Sequence, residues 1–362
     1  MQELPAAPAG ADRPRKRKAN HGHRESCNGK KINYRKWQSS ALKILPHHPK
    51  GTLMSFRLFV IGNGFDLFHK LSSSLADFSR YVKQKNPNLH ETIDEYLQLE
   101  GNWNTLEMSL ADFDAERALD EALEFLQPYS TENWKDAYHH EYQYELGKTI
   151  AAVSTELLAH FYNWIDSLDT TCLTPKPQFN FSQSDIFLTF NYTNTLEDVY
   201  SIEATNTLSI HGSISNGEDL ILGHAWDPEE IPDYNNVPNP EDLDTRVMEG
   251  NEMVNSYFQE TFKPTDEIIE EHHSFFEQLR EASMVIIIGH SLSCVDRPYF
   301  EEIYKNTPLD ITWLVTYHSE EDKANHLDFL ISMGIENFKQ CNTQDIAQQL
   351  RYLIFSSEHN LT

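Results

Sequence analysis

Apolar residues occur along this chain in short continuous runs, separated by segments with helical periodicity. The runs at 56–61 ("FRLFVI"), 284–289 ("MVIIIG") and 311–317 ("ITWLVTY") have the length of strands and show little alternation with polar residues. Such runs predict a mainly parallel sheet covered by helices on both faces. Three further short strands are predicted at 185–190, 206–210 and 219–222.

Helical segments are predicted where apolar residues recur at intervals of three and four. From about 90 to 180 the chain contains "LEMSLADF" and "ALDEALEFL", which predict a helical insertion after the first βα unit. The predicted fold is therefore an α/β fold, Rossmann-like, with this insertion. Other helices are predicted at 75–86, 265–281, 320–333 and 343–355, and loops at 172–185 and 226–250.

The chain divides by charge near residue 53. Residues 1–53 hold 12 Lys/Arg and 3 Asp/Glu and few apolar residues, which predicts a disordered basic extension. A nuclear-import signal or a nucleic-acid-binding patch is the alternative interpretation of its "RPRKRK". Met54 is a candidate for the natural start of the protein. Residues 54–362 are predicted to form a single α/β domain.

The composition of residues 54–362 excludes several classes of protein. Their 17 Lys/Arg against 53 Asp/Glu repel a phosphate backbone, which argues against general nucleic-acid binding. No run of eighteen apolar residues predicts a membrane span, and the polar N-terminus lacks the apolar core of a secretion signal. The four cysteines are scattered, so neither a disulfide framework nor a metal site is expected, and a cytoplasmic location fits.

A glycine-containing loop, Gly62-Asn63-Gly64-Phe65-Asp66, follows the first predicted strand. Glycines at this position allow a tight turn and let backbone amides approach a pyrophosphate. A plain strand-to-loop turn is the alternative, because the third glycine of the dinucleotide motif is missing.

Polar residues also follow two of the short predicted strands. Asn191 stands at the tip of "IFLTFN", ahead of Thr193, and offers donors and an acceptor to a ribose hydroxyl or a water. Asn194 is better explained as a helix N-cap. His211 precedes Gly212 in "IHGSI" and is able to accept a proton near neutral pH, and His224 is a lesser candidate.

The segment "IIIGHSLSCVDRPYF" (286–300) allows two interpretations. Gly289 and Ser291 resemble a nucleophile elbow, although Ser293 replaces its second glycine. In the other interpretation Gly289 and Ser291 contact a phosphate or ribose, and Asp296 accepts a ribose hydroxyl.

With these pieces in order, the chain resembles the bacteriophage abortive infection AbiH family from about Arg57 to Tyr317. The resemblance rests on "FVIGNGFDLFHKLSSSLADF", "WNTLE", "LTFNYTNTLEDVY", "IHGSI", "ILGHA" and "IIGHSLSCVDRPYF". The chain is also similar, more weakly, to zinc-free sirtuin-like NAD-binding domains that cleave NAD. That similarity implies that Asn191 and His211 are the catalytic pair, while Gly62, Gly64, Ser291 and Asp296 line the NAD site.

The resemblance implies an antiviral effector that hydrolyses NAD to nicotinamide and ADP-ribose. A serine hydrolase using Ser291 and a non-catalytic nucleotide sensor are the alternatives. Trp103 and Glu107 lie one helical turn apart and are able to complete the site, but a packed Trp with a salt-bridged Glu is the simpler explanation. The sequence leaves the phage trigger and a homo-oligomeric state open.

Overall fold

The sheet predicted from the apolar runs is present in the computed structural model, which describes residues 56–99, 102–132, 134–239, 241 and 243–359, the last seven as backbone alone. Six parallel strands lie in the order β3-β2-β1-β4-β5-β6. This order confirms the Rossmann-like prediction. The predicted extension, residues 1–53, lies outside the described residues. The strands are β1 (Phe56–Ile61), β2 (Ile186–Thr189), β3 (Thr207–Ser209), β4 (Ala282–Ile288), β5 (Thr312–Tyr317) and β6 (Phe338–Asn342).

The helices begin at conventional capping residues in several places. Ser74 and Ser319 each accept a hydrogen bond from the amide three residues later, and the Asp at that position binds back to the serine amide. The α-helices of the described ranges are α1 (Gly64–Phe68), α2 (Leu75–Lys85), α3 (Pro87–Tyr96), α4 (Leu106–Ser109), α5 (Ala115–Ala122), α6 (Glu141–Val153), α7 (Thr155–Asp166), α8 (Thr195–Tyr200), α9 (Thr245–Glu260), α10 (Thr265–Glu271), α11 (His273–Glu277), α12 (Arg297–Asn306), α13 (Glu320–Ser332) and α14 (Ile346–His359).

Both faces of the sheet are covered, as the unbroken apolar strands predict. Successive residues of a strand point to opposite faces. One face of β1 and β4 packs against α1, α8 and α14, and the other face packs against α11, α12 and α13. The four residues from Val285 to Ile288 are fully buried, which explains why this part of β4 has no polar residue.

The helical insertion between β1 and β2 has an apolar core of its own. Helices α2 to α7 supply most of it, and α9 from much later in the chain joins them. We call these seven helices the helical cluster. Its partly buried neighbours include Tyr192 and Ile214, which follow β2 and β3. The helical cluster therefore packs against the chain where it leaves the carboxyl ends of these two strands.

Several predicted elements differ from the structure. Residues 219–222 form no strand in the described chain, and one isolated bridge joins His224 to Phe262 instead. The predicted loop 226–250 ends at Thr245, where α9 begins after Asp244 caps it. Strand β6 was not predicted. The predicted helix 265–281 is divided into α10, α11 and a final 3-10 turn.

None of the helices in the described ranges combines the length and apolar character needed to cross a bilayer.

Candidate functional site

The chain leaves β1 and β4, the two central strands, toward opposite faces of the sheet. After β1 it enters α1, whose Phe65 packs on one face, and after β4 it reaches α12, whose Tyr299 packs on the other. In an open parallel sheet the loops diverge at such a switch point, and ligands bind beyond the carboxyl ends of the strands there. The polar residues singled out from the sequence lie around this edge.

The loops after β1 and β4 touch through their glycines. The amide of Gly62 donates to Ile288 O at 2.9 Å, and that of Gly64 donates to Gly289 O at 2.8 Å. The amide of Phe65 donates to Gly62 O at 2.9 Å. A Cβ on Gly64 would lie 2.7 Å from Gly289 Cα, so only glycine permits this approach. Three of the amides predicted to bind pyrophosphate are thus engaged within the chain.

Asp66, the last residue of the glycine loop motif, forms a buried polar group with the end of β2. Thr193 Oγ1 donates to Asp66 Oδ2 at 2.5 Å, and Thr195 Oγ1 lies 3.3 Å from Thr193 Oγ1. Burial raises the pKa of Asp66 to about 6, and the nearby side chains of Thr193, Thr195 and Asn191, which favour the carboxylate, oppose the rise. Asp66 Oδ1 and both polar atoms of Asn191 are buried without a close hydrogen-bond partner among the described residues. The structure therefore brings Asp66, Thr193 and Asn191 together.

Asn63, the remaining member of the glycine loop, is exposed and binds within the chain. Its Nδ2 donates to Ser73 O at 2.8 Å, and its Oδ1 accepts from Ser73 Oγ at 2.6 Å. These two bonds tie the glycine loop to the segment that leads into α2.

A buried cluster of charged and titratable groups surrounds Asp296. Lys263 Nζ lies 2.8 Å from Glu107 Oε1 and 3.3 Å from Asp296 Oδ1. His211 Nε2 lies 3.6 Å from the same Asp296 Oδ1, and His290 Nε2 lies 3.5 Å from Asp296 Oδ2. The four side chains other than Glu107 are less than a tenth exposed, while that of Glu107 is 24% exposed. Glu107 is therefore the member through which solvent reaches the cluster.

The protonation states of this cluster follow from its burial. Burial lowers the pKa of His211 well below its usual value, and the Lys263 ammonium and His290 lower it further. Burial likewise lowers the pKa of His290 to about 3. Burial raises the pKa of Glu107, and Lys263 opposes that rise. The sequence predicted a histidine titrating near neutrality, whereas the structure makes His211 a neutral imidazole at pH 7.

Aromatic rings hold the His211 imidazole in place. Those of Phe190, Tyr192 and Tyr299 lie 5.2, 6.1 and 5.6 Å from it between centroids. Tyr192 OH donates to Ile221 O at 2.8 Å. The buried Tyr299 hydroxyl and His211 Nε2 have no hydrogen-bond partner within the described chain. The free nitrogen is thus available to a hydroxyl or a water.

Asn191 and His211 occupy equivalent positions after neighbouring strands. Thr189 pairs with Ser209, and each site residue lies two positions beyond that pair. Their partners differ, because Asn191 lies beside Asp66 while His211 faces Asp296. The predicted site therefore has two polar halves on adjoining strand ends.

Ser291 and Asn194 do not take the geometry expected of them. Ser291 is exposed, and the left-handed φ values of its segment fall on Gly289 (65°) and Leu292 (54°). A nucleophile elbow requires the strain on the serine itself. Asn194 does occupy the N-cap of α8, but its side chain makes no cap bond and Oδ1 accepts from Ser215 Oγ at 2.9 Å.

Sequence reasoning missed Lys263 and His290. Lys263 stands alone in "TFKPT", and only its place between an aromatic residue and a proline in an acidic domain sets it apart. His290 was visible only as part of the elbow motif. Trp103 is packed, with Nε1 donating to Asp94 Oδ1 at 2.5 Å, and Glu107 is salt-bridged, as the simpler explanation predicted.

The strand order and the ionisable groups at the carboxyl edge define a doubly wound α/β protein with a buried polar site. The chain belongs to the bacteriophage abortive infection AbiH family, whose model matches residues 58–317. Its role is therefore in bacteriophage abortive infection. No curated protein and no solved structure matches the chain. The similarity to sirtuin-like domains stays a prediction.

Proposed function

We propose that this abortive-infection protein binds NAD at the carboxyl edge of its sheet and hydrolyses it to nicotinamide and ADP-ribose. The observation that carries the proposal is the pair of unsatisfied groups at neighbouring strand ends. Both polar atoms of the Asn191 amide and Nε2 of His211 are buried and unpartnered within the described chain. Leaving buried polar atoms unpaired costs free energy, so such atoms at a switch point favour a ligand that pairs with them.

The chemistry proposed for these groups is cleavage of the bond between ribose C1′ and the nicotinamide nitrogen. The bonding electron pair leaves with nicotinamide, which departs neutral, and positive charge develops on the ribose. The carboxyl group of Asp66, which is ionised above its pKa of about 6, suits such a charge. A water oxygen then bonds to C1′, and its proton passes to His211 Nε2 and on to solvent. Asp296 Oδ1, 3.6 Å away, would stabilise the imidazolium formed.

Three amides of the glycine loop are not assigned to the phosphates of NAD. Gly62, Gly64 and Phe65 already donate to backbone carbonyls. The proposal therefore depends on the ribose and nicotinamide end of the substrate, where Asn191, Thr193 and His211 lie.

The buried position of the site affects how its activity is to be measured. Asn191 is 7% and His211 3% exposed, so NAD reaches them only when the chain over the strand ends opens. We therefore expect low activity in the resting protein and higher activity in phage-infected cells.

In the first experiment, the full chain is incubated with NAD, and nicotinamide and ADP-ribose are measured by chromatography. In the second, NAD and nicotinamide are measured in phage-infected cells that express the protein. His211→Ala and Asn191→Ala are each expected to reduce cleavage by about 10²-fold or more, since both act on the reacting atoms. His273→Ala removes an exposed imidazole on α11 and is the matched control. Absence of nicotinamide in both settings would overturn the proposal.

The two alternatives give different results in the same material. Labelling of Ser291 by a fluorophosphonate probe would support a serine hydrolase, although Ser291 lacks the left-handed φ found at Gly289 and Leu292. Calorimetric binding of NAD without turnover would support a nucleotide sensor instead.

A further inference from the structure

Lys263 is a fully buried lysine that belongs to no motif of the sequence. Its side chain is 0% exposed and lies between the carboxylates of Glu107 and Asp296. Glu107 lies in α4 of the helical cluster, whereas Asp296 precedes α12 after the central strand β4. One ammonium thus joins the helical cluster to the sheet at the candidate site.

The backbone around Lys263 is held by the segment after His211. The amide of Lys263 donates to His224 O at 2.8 Å, and the amide of His224 donates to Thr261 O at 2.9 Å. Gly223 leaves no room for a side chain, because a Cβ there would lie 2.5 Å from Thr261 O. Lys263 is therefore placed by paired main-chain bonds rather than by its side chain alone.

Lys263 and His211 share one oxygen atom. Asp296 Oδ1 lies 3.3 Å from Lys263 Nζ and 3.6 Å from His211 Nε2. The other titratable groups facing His211 are His290, Tyr192 and Tyr299, and Glu107 acts on it through Lys263. With both histidines neutral, Lys263 is the one positive charge among these named groups. A second positive charge on His211 would compete with it for the same carboxylate oxygen.

We propose that Lys263 is a positioning residue of the candidate site, which neutralises Asp296 and thereby keeps His211 a neutral imidazole with Nε2 free. The inference rests on the role proposed above for His211 and adds the group that sets its protonation. Lys263 touches no substrate in this proposal. It acts through Asp296. Because Lys263 also pairs with Glu107, the protonation state of His211 depends on how the helical cluster packs against the sheet.

The experiment is an NMR titration of the histidine imidazoles in the full chain without any nucleotide, with His211 assigned from His211→Gln. Lys263→Met is expected to move the titration midpoint of His211 to higher pH, because the repelling ammonium is gone and Asp296 is left to pair with the imidazolium. Lys263→Arg keeps the cation and is expected to leave His211 as in the wild type. The exposed His273 is the internal reference.

An unchanged His211 midpoint in Lys263→Met, or an equal shift in Lys263→Arg, would overturn the inference. If Lys263→Met does not fold, Lys263→Met/Glu107→Gln removes one buried charge of each sign and carries the same expectation. The titration needs no catalysis. If the His211 midpoint shifts in a protein that never cleaves NAD, the role of Lys263 stands and only the proposed function fails. If the protein cleaves NAD and the midpoint does not shift, the proposed function stands and the role of Lys263 fails.

Discussion

Gly289 lies where the loops after β1 and β4 meet, and replacing it tests why the glycines are there. Its φ is +65°, and an added Cβ would lie 2.4 Å from Phe65 N and 2.5 Å from Gly64 C. Both are backbone atoms of a loop held by hydrogen bonds, so no flexible side chain is available to move aside. Gly334 has a similar φ of +77° but nothing within 4 Å of the added Cβ.

The two glycines therefore separate backbone strain from steric overlap. An alanine in the left-handed region costs about 1–2 kcal/mol, and we expect Gly334→Ala to lose that amount. Gly289→Ala carries the same strain and adds overlap that costs about 1–3 kcal/mol or more. The difference is a large part of the roughly 5–15 kcal/mol that stabilises a folded domain.

Urea unfolding of both variants and the wild type, followed by circular dichroism, measures this difference from the transition midpoints and slopes. The midpoint of Gly289→Ala is expected to fall further than that of Gly334→Ala. Equal losses in the two variants would refute the reasoning, because they would show that the loops after β1 and β4 do not need the close approach. No nucleotide is added, so the outcome concerns the fold alone.

Two further substitutions test buried carboxylates, each by urea unfolding. The pKa of Asp66 is about 6 in the folded state and 3.8 in the unfolded state, so between these values the folded state holds a proton that the unfolded state has released. The free energy of unfolding is therefore expected to fall by about 3 kcal/mol as pH rises from 4 to 6. Asp66→Asn should remove that loss, and an unchanged pH profile would contradict the assignment. Asp185→Asn should cost about 2–3 kcal/mol, because the 1% exposed carboxylate pairs twice with Arg57. Glu320→Gln is the exposed control, because Glu320 pairs with Lys323 on the surface, and it should lower the free energy of unfolding by under about 1 kcal/mol. Similar losses for Asp185→Asn and Glu320→Gln would contradict the role given to burial.

The central strands were predictable because burial on both faces removes polar residues from them. Runs such as "MVIIIG" locate β4 to within two residues for this reason. The edge strand β6 was missed because only Cys341 of its five residues is buried, so "FKQCN" has no apolar pattern. The apolar run at 219–222 was wrongly predicted as a strand, because it packs against the helical cluster without joining a ladder.

The candidate site was predictable only where it follows the strand pattern. Asn191 and His211 were found because they stand directly after apolar runs, and parallel strands end at one edge. Lys263 and Glu107 are 156 residues apart and meet only through the packing of the helical cluster. No periodicity in a single sequence specifies such a contact. The engagement of the Gly62 and Gly64 amides was hidden for the same reason, since their acceptors are Ile288 O and Gly289 O.

The separate apolar core of the helical cluster bears on how the protein can evolve. The outer side of those helices lies away from the two apolar cores that flank the sheet. The outer surface of the helical cluster is thus free to diversify while the groups around Asp296 are retained. We expect relatives of this chain to differ most on that outer side, with the lysine–carboxylate contact transmitting what happens there to the histidine below.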